Sequence, residues 1–592
     1  MKHCCKGYSG ASTIIGAIST GHDMAKSYFH RGGDAPLLGK TIPEHFADMV
    51  ERHGDREAVV GIPQRLRLSY VELAGEVDRL ARGLLAFGFK RGDRIGIWST
   101  NNLQWILVQL ASARIGAILV NINPAYRIQE LEYALKQSRV QCLLCIPTFK
   151  NSDYTQMLMA LLPELSWQSA EQLSCERLPD LRRVVIFNPH DPLRTAAPAQ
   201  GFTRWTELVE AGREIAQSRL ERLSAELDID DAINIQYTSG TTGFPKAVVL
   251  SHHNILNNAW FSARAMHFSE SDKLCIAVPF YHCFGMVLAN LLCFSVGACA
   301  VISCEHFDAG AVLQTIDEER CTALHGVPTM FIAELEHQDF DRYRLDSLRT
   351  GIMAGAPCPA ELMQQVMQDM HCRDILIGYG ETEASPLTHL TSREDSLYRR
   401  TQTVGRNLPH QEVKIVGIAG DQTLPLGENG EICFRGYHIM QGYYRDQAAT
   451  DEAIDAQGWL HSGDVGMMDE EGYVSITGRL KEMIIRGGEN IYPREIEDLL
   501  YSHPKVAAVA VFGVPDRYYG EQVAAWIRLR SGQQSSAKEM REFCGAKLSH
   551  FKIPRYIRFV DSFPMTVTGK IQKFQMRKQM LESMDATTSD AK

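Results

Sequence analysis

"INIQYTSGTTGFPKAVVL", Ile233 to Leu250, sets a loop of glycines and hydroxyls between two apolar segments. Within it, Thr238 to Lys246 carries Gly240, Gly243 and Pro245, the hydroxyls of Thr238, Ser239, Thr241 and Thr242, the ring of Phe244, and a closing lysine. Glycines let successive backbone N–H groups face an anion, hydroxyls add donors and a lysine adds charge, so such a loop suits phosphate. Spacing excludes a Walker loop. Counted from Gly240, that motif needs glycine where Pro245 stands and a hydroxyl residue where Ala247 stands. Context excludes it too. "INIQY" alternates apolar and polar residues and "KAVVL" is β-branched, so the loop joins two strands. The helix starts only at Ser251, with Ile255, Leu256, Ala259, Trp260 and Ala263 on one face. For an isolated loop of this composition a plain turn competes with a phosphate cradle, and the rest of the chain has to decide.

The 592 residues suffice for roughly three to five folding units. With 45% hydrophobic and 22% charged residues the composition is that of a globular protein. The 61 basic and 71 acidic residues give a formal charge of −10 without a dense basic stripe, which argues against a nucleic-acid partner. Several of the fifteen cysteines sit in apolar runs, where reduced core thiols are expected, and the single C-x-x-C, Cys142 to Cys145, reads as packing. From Cys283 to Cys304 no residue is charged. Asn290, Ser295 and Gly297 interrupt that run, which reads as helix, turn and strand within a buried α/β unit rather than as a membrane span. Residues 1–40 read as a disordered extension, with Met24 as an alternative start, and residues 586–592 as a disordered tail.

Between Leu68 and Ile302, helical segments alternate with short apolar strands such as "RIGIWST", "GAILVNI", "CLLCIP" and "ACAVIS". That alternation predicts doubly wound α/β layers, whose ligands sit at the carboxyl ends of strands. From Val404 to Ile476 closely spaced strands predict a small β subdomain, and the last 110 or so residues predict a separate α+β unit. The joint falls near "GRLKEMIIRGGEN", where Gly487 and Gly488 can absorb backbone rotation.

Four further segments carry chemistry. "GYGETEASP" follows a strand, so Tyr379 and Glu383 project from its carboxyl end; tyrosine can stack on a purine and glutamate can hold Mg²⁺. "WLHSGDVG" offers Asp464 as an acceptor for ribose hydroxyls, "ITGRLKE" offers Arg479, and "PMTVTGKIQK" holds Lys570 where it can meet a developing anion. Singly, each has a plainer reading: Glu383 as a helix cap, Asp464 as a Gly-Asp turn, Arg479 and Lys570 as solvated charges.

In this order and spacing the segments resemble the adenylate-forming superfamily of acyl-CoA synthetases, adenylation domains and firefly luciferases, over about Ile42 to Met580. "NPAYR", "HFKIPRYI" and "GKIQKF" make the chain most similar to medium-chain acyl-CoA ligases of the mitochondrial type and their bacterial relatives. The resemblance implies a large α/β N-terminal domain over residues 41–478, built from two doubly wound α/β subdomains and a small β subdomain at 403–477. It further implies a hinge at 479–482 and a smaller mobile α+β C-terminal domain at 483–585. The implied function is an ATP-dependent fatty acid–CoA ligase: the carboxylate attacks ATP to give acyl-AMP and pyrophosphate, and CoA then displaces AMP.

By the same resemblance, Thr238, Ser239, Gly240, Thr241, Thr242, Gly243, Phe244, Pro245 and Lys246 cradle the β- and γ-phosphates. Gly355, Ala356, Pro357, Tyr379 and Gly380 enclose adenine. Thr382 reaches the α-phosphate, Glu383 binds Mg²⁺, and Asp464 and Arg479 hold the ribose. Lys570 stabilises charge between carboxylate and α-phosphate, and His282 lies beside the carboxylate. Lys481 is the hinge residue, and Gly488 faces the pantetheine channel of CoA. Phe284 and Met286 stand at the acyl-pocket mouth, with a core role as an equal reading. The implied partners are fatty acid, ATP and CoA, with at most peripheral membrane association, as a monomer or homodimer. The expected location is the cytoplasm, with the mitochondrial matrix as alternative. An acyl-AMP ligase serving a carrier protein and a non-catalytic nucleotide-binding scaffold are the rival readings.

Overall fold

Short β-branched runs separated by helices sort into two large sheets. The structure is a computed structural model, and it describes residues 25–238, 245–418, 420–565 and 571–589. In the first sheet the strands run in the order Phe202–Arg204, Arg183–Ile186, Cys142–Cys145, Arg94–Trp98, Ile118–Ile122, Ala232–Thr238, Lys246–Ser251 and Gly442–Tyr443. They are parallel up to Ala232–Thr238 and antiparallel beyond it. The second sheet has nine strands, with Thr350–Ala354 and Asp374–Gly380 parallel near one end and Glu57–Gly61 near the other. Both have the fully apolar strands that two-sided burial demands.

Helices fill the space against these sheets, and their sequences show why. The helix Leu103–Arg114 starts where Asn102 accepts a hydrogen bond from the Trp105 amide at 3.0 Å. Eleven of its twelve residues are buried. "LQWILVQLASAR" is apolar on every side because no side meets water. The uncharged run resolves as expected: helical turns from Cys283 to Val296, one stretch of them π-helical at Met286–Leu291, then Gly297 and the strand Cys299–Ile302. Among the described residues no helix is long and apolar enough to cross a membrane. Their thirteen cysteines are all free and buried, Cys142 and Cys145 among them.

A five-stranded antiparallel sheet forms the small β unit, in the order Tyr28–Arg31, Gln411–Val416, Gly430–Gly436, Leu460–Met468 and Val474–Arg479. Its first strand corrects the expectation of disorder over residues 1–40. Tyr28–Arg31 pairs antiparallel with Gln411–Lys414, Ser27 is buried, and Thr41 caps the helix Ile42–His53. An otherwise open sheet edge supplies the backbone partners that such a short segment lacks by itself. Residues 1–24 lie outside the described residues. The tail expectation changes likewise, because the last helix runs from Lys573 to Ser589.

From Arg479 the chain takes one turn, Leu480–Glu482, and enters a second small sheet at Ile484–Arg486. That sheet also holds Glu489–Ile491, Gly520–Leu529, Val506–Asp516 and, parallel to Gly520–Leu529, Tyr556–Phe559. The fold is thus α/β, a large N-terminal part of two doubly wound layers and a β unit, followed by a smaller α+β C-terminal part.

Candidate active site

The hairpin Ala232–Thr238 and Lys246–Ser251 ends with Thr238 opposite Lys246, so the phosphate-type loop leaves from the open end of a strand pair. Pro245 is tied by its carbonyl to the Tyr133 hydroxyl at 3.2 Å. Ser239, Gly240, Thr241, Thr242, Gly243 and Phe244 lie outside the described residues, as does Lys570.

The first sheet meets the second through a tyrosine. Gly442–Tyr443 pairs with Val248–Val249 at the sheet edge, which carries the Tyr443 ring beneath the Lys246 ammonium, 4.6 Å from the ring centroid. The Tyr443 hydroxyl donates to Glu383 Oε1 at 2.9 Å. Burial, with the Glu383 charge adding to it, raises the phenol above its ordinary value, so it stays a donor. Glu383 stands on the single turn Thr382–Ala384 that follows the strand Asp374–Gly380, and Met440 N–H holds its carbonyl at 2.8 Å. One side chain therefore joins the lysine end of the loop to the carboxylate of "YGETE". Nothing in the sequence marked Tyr443; the signal available was an aromatic pair in "QGYYRD" directly after a glycine.

Thr382 is buried, and its hydroxyl lies 3.6 Å from Cys283 Sγ, which lies 3.6 Å from His282 Nδ1. His282 also accepts from the Phe284 amide at 3.2 Å and so caps the helical run that follows. Phe284 stacks on the buried His325 ring at 5.6 Å. Met286 is 1% exposed, and its sulfur takes a 3.5 Å contact from the Asn121 amide. Both side chains are core residues by burial. Gln109, Asn121, Gln236 and Asn290 surround Met286 or its helical turn as a buried amide group.

A third group gathers around Asp464. The sequence allowed a Gly-Asp turn there; instead Asp464 lies within the strand Leu460–Met468, next to a register shift, opposite Arg479. Its carboxylate is 3% exposed, accepts from the Tyr379 hydroxyl at 2.7 Å and takes Arg479 Nε at 2.5 Å. Burial and that carboxylate push the Tyr379 phenol well above its ordinary value, and Asp464 holds the Arg479 guanidinium firmly charged. The Arg479 side chain remains 55% exposed. The pair is therefore half open to solvent, and its contribution to stability is that of a partly screened ion pair. Gly380 follows Tyr379, and a Cβ there would lie 1.9 Å from the Pro386 carbonyl oxygen, so only glycine fits. Gly355, Ala356 and Pro357 are exposed on the loop after the neighbouring parallel strand Thr350–Ala354.

Lys481 sits in the turn Leu480–Glu482, and Glu482 in that turn meets Lys573 at 2.8 Å. Gly488 has φ +90°, and a Cβ there would meet open space.

These positions make Tyr443 testable. Tyr443→Phe is expected to lower catalytic turnover on the order of tenfold, the size of one hydrogen bond to a charged group, while the protein stays folded. Unchanged turnover in a folded variant would remove Tyr443 from the site.

Residues 46–444 match the AMP-binding enzyme family, and residues 495–570 match the AMP-binding enzyme C-terminal domain. YngI of Bacillus subtilis (strain 168), itself named only provisionally as an acyl-CoA synthetase, is 46% identical over 94% of this chain and 100% of its own length. The zebrafish (Danio rerio) mitochondrial medium-chain acyl-CoA ligase ACSF2 is 41% identical over 94% of this chain and 91% of its own. The ATP-bound crystal structure of MatB from Rhodopseudomonas palustris superposes with a TM-score of 0.76 at 25% identity, covering 91% of this chain and 99% of that one.

Proposed function

The chain belongs to the AMP-binding enzymes, within the adenylate-forming acyl-CoA synthetase superfamily, and from that premise we propose that it joins a medium-chain fatty acid to CoA. ATP is cleaved to AMP and pyrophosphate. A carboxylate oxygen forms a bond to the α-phosphorus as pyrophosphate leaves; the CoA sulfur then takes the acyl carbon, loses its proton, and AMP leaves.

The observation that carries this reading is the Lys246–Tyr443–Glu383 junction. Nucleotidyl transfer asks a protein mainly to position phosphates and neutralise charge. Here a lysine and a carboxylate from two different sheets are held against one ring, beside a buried hydroxyl from Thr382. Glu383 offers hard carboxylate oxygens of the kind Mg²⁺ takes, so Glu383 is the residue to hold that ion, which supplies charge neutralisation at the phosphates. Tyr379 and the Gly355–Pro357 loop form the adenine walls, and Asp464 with Arg479 receives the ribose hydroxyls. His282 and Thr382, linked through Cys283, bring the carboxylate and α-phosphate positions together. The loop residues 239–244 and Lys570 keep their assigned roles.

Medium-chain preference is supported by the mitochondrial ACSF2 relatives, whose printed name is medium-chain acyl-CoA ligase. CoA-dependent AMP release, measured across saturated acids from butyrate to stearate, tests it. A maximum near octanoate is expected; a maximum at stearate would overturn the chain-length reading, and absence of thioester with free CoA would favour a carrier-protein acceptor. We place the enzyme in the cytoplasm, with the mitochondrial matrix second, as a monomer or homodimer with at most peripheral membrane contact.

Residues 479–482 act as a hinge between residues 41–478 and 483–585, with Lys481 in the turning segment. Gly488 then lines the pantetheine path in the thioester-forming arrangement. Gly488→Leu is expected to leave pyrophosphate exchange near the unmodified rate and to reduce CoA transfer severely. Because φ is +90°, any side chain adds strain of about 1–2 kcal/mol. Gly488→Ala separates strain from bulk: it carries the strain with little obstruction and is expected to retain most transfer. Equal loss of both half-reactions in the leucine variant would sink the two-arrangement reading.

A further inference from the structure

The β unit brings together a cysteine, a histidine and a glutamate that the ligation chemistry leaves unused. Glu431 and Cys433 are two residues apart on the strand Gly430–Gly436, so the alternation of a strand sends both to one face. His461 lies opposite Cys433 on the neighbouring strand Leu460–Met468. The pairing register shifts between Glu431 and Cys433. His461 Nδ1 sits 2.8 Å from Glu431 Oε2 and 3.5 Å from Cys433 Sγ. All three ligating atoms lie within 4.8 Å of one another, the one such group among the described residues.

We propose that Glu431, Cys433 and His461 form a binding site for a thiophilic divalent cation, with Zn²⁺ as its natural occupant. The distances fit. With Zn–S about 2.3 Å and Zn–N about 2.0 Å, the sulfur-to-nitrogen edge of a tetrahedron is about 3.5 Å. The observed separation is 3.5 Å. The nitrogen-to-oxygen edge needs about 3.4 Å, so the Glu431 carboxylate has to move outward by about half an ångström. On binding, the Cys433 thiol and any His461 Nδ1 proton pass to solvent, leaving thiolate, neutral imidazole and carboxylate as donors.

The surroundings support the site as built. Asp455 Oδ2 lies 3.8 Å from His461 Nε2, on the far side of the ring, a charge contact longer than a hydrogen bond. Asp455 itself is fixed by the Gln457 and Trp459 amides on its other oxygen. Lys414 is the opposing charge, and its ammonium is turned onto the Trp459 ring at 4.4 Å. Cys433 is fully buried against Val416 and Trp459, while Glu431 and His461 are half-buried and leave an approach. Glu431 Oε1 meanwhile holds the Gly463 amide at 3.0 Å, directly before Asp464, so an ion here would share its carboxylate with the ribose-side strand.

The test uses the full chain in excess Mg²⁺, which saturates oxygen-only sites such as Glu383. Co²⁺ titration should give a near-ultraviolet thiolate-to-metal absorption in the unmodified protein that Cys433→Ser lacks. Competition should show Zn²⁺ displacing Co²⁺, with affinity reduced roughly tenfold or more in Cys433→Ser and in His461→Gln. Cys4 and Cys5 are the same in all variants, so the difference spectrum reports Cys433 alone. Cys433→Ala, which removes the ligand while keeping an apolar wall, checks that lost binding is not lost folding. An identical spectrum and affinity in folded Cys433→Ser would overturn the proposal.

Discussion

Lys570→Ala is expected to slow acyl-adenylate formation by about 10²–10³-fold, the usual cost of removing one donor from a developing anion. Thioester formation from supplied acyl-adenylate should stay close to the unmodified rate. The asymmetry follows from the two steps. In the first, negative charge gathers on the α-phosphate oxygens as the carboxylate approaches, and a cation there is more valuable in the transition state than in the ground state. In the second no bond to phosphorus forms or breaks, because the sulfur takes the acyl carbon, the acyl carbon–oxygen bond breaks and AMP leaves; the proposed hinge motion would by then have carried Lys570 away. Single-turnover measurement of each half-reaction separates the two, and equal loss in both would argue that Lys570 serves the fold or a shared binding step.

The second large effect is expected at Asp464. Asp464→Asn keeps the shape but removes the charge that holds Arg479, and it replaces an acceptor-only group by one that also donates. The Tyr379 hydroxyl and Arg479 Nε then both aim donors at a side chain that can no longer accept both well. Since the proposed ribose contact would be needed in both steps, kcat/KM for ATP should fall roughly 10²-fold, an effect of about 3 kcal/mol. Both half-reactions should fall together, unlike the Lys570 variant. A change confined to melting temperature, with ATP kinetics intact, would reduce Asp464 to a structural ion pair.

Much of this was legible in the sequence, and the reasons differ by element. The strand–loop–strand around Thr238 to Lys246 could be read because Pro245 and Ala247 break the Walker spacing and the flanks alternate with period two. The uncharged run could be read because Gly297 marks the change from helix to strand, and its φ of +78° is the left-handed stop that glycine permits. Tyr28–Arg31 could not be read, since four residues with no apolar alternation beyond Phe29 acquire strand structure only from the free edge of Gln411–Val416. Tyr443 was hidden for a related reason: its value lies in joining two sheets, a tertiary fact that no local pattern states. Glu431, Cys433 and His461 were hidden because their meeting depends on which residue of one strand pairs with which of the next, Cys433 opposite His461, and no local pattern states that register. Asp464 was singled out as a ribose acceptor with a Gly-Asp turn as the plainer alternative, and the strand pairing with Arg479 replaces that turn, because Ser-Gly-Asp is turn-like only in isolation.

In the proposed reaction ATP is cleaved at the α-phosphate through a free-standing acyl-adenylate, before CoA takes part. The most direct measurement incubates the full chain with Mg·ATP, octanoate and labelled pyrophosphate, first without CoA and then with it. Without CoA, label should enter ATP and octanoyl-AMP should be recoverable from the quenched protein; adding CoA should then yield octanoyl-CoA and AMP in equal amounts. Formation of ADP and phosphate, or a strict need for CoA before any label enters ATP, would contradict it.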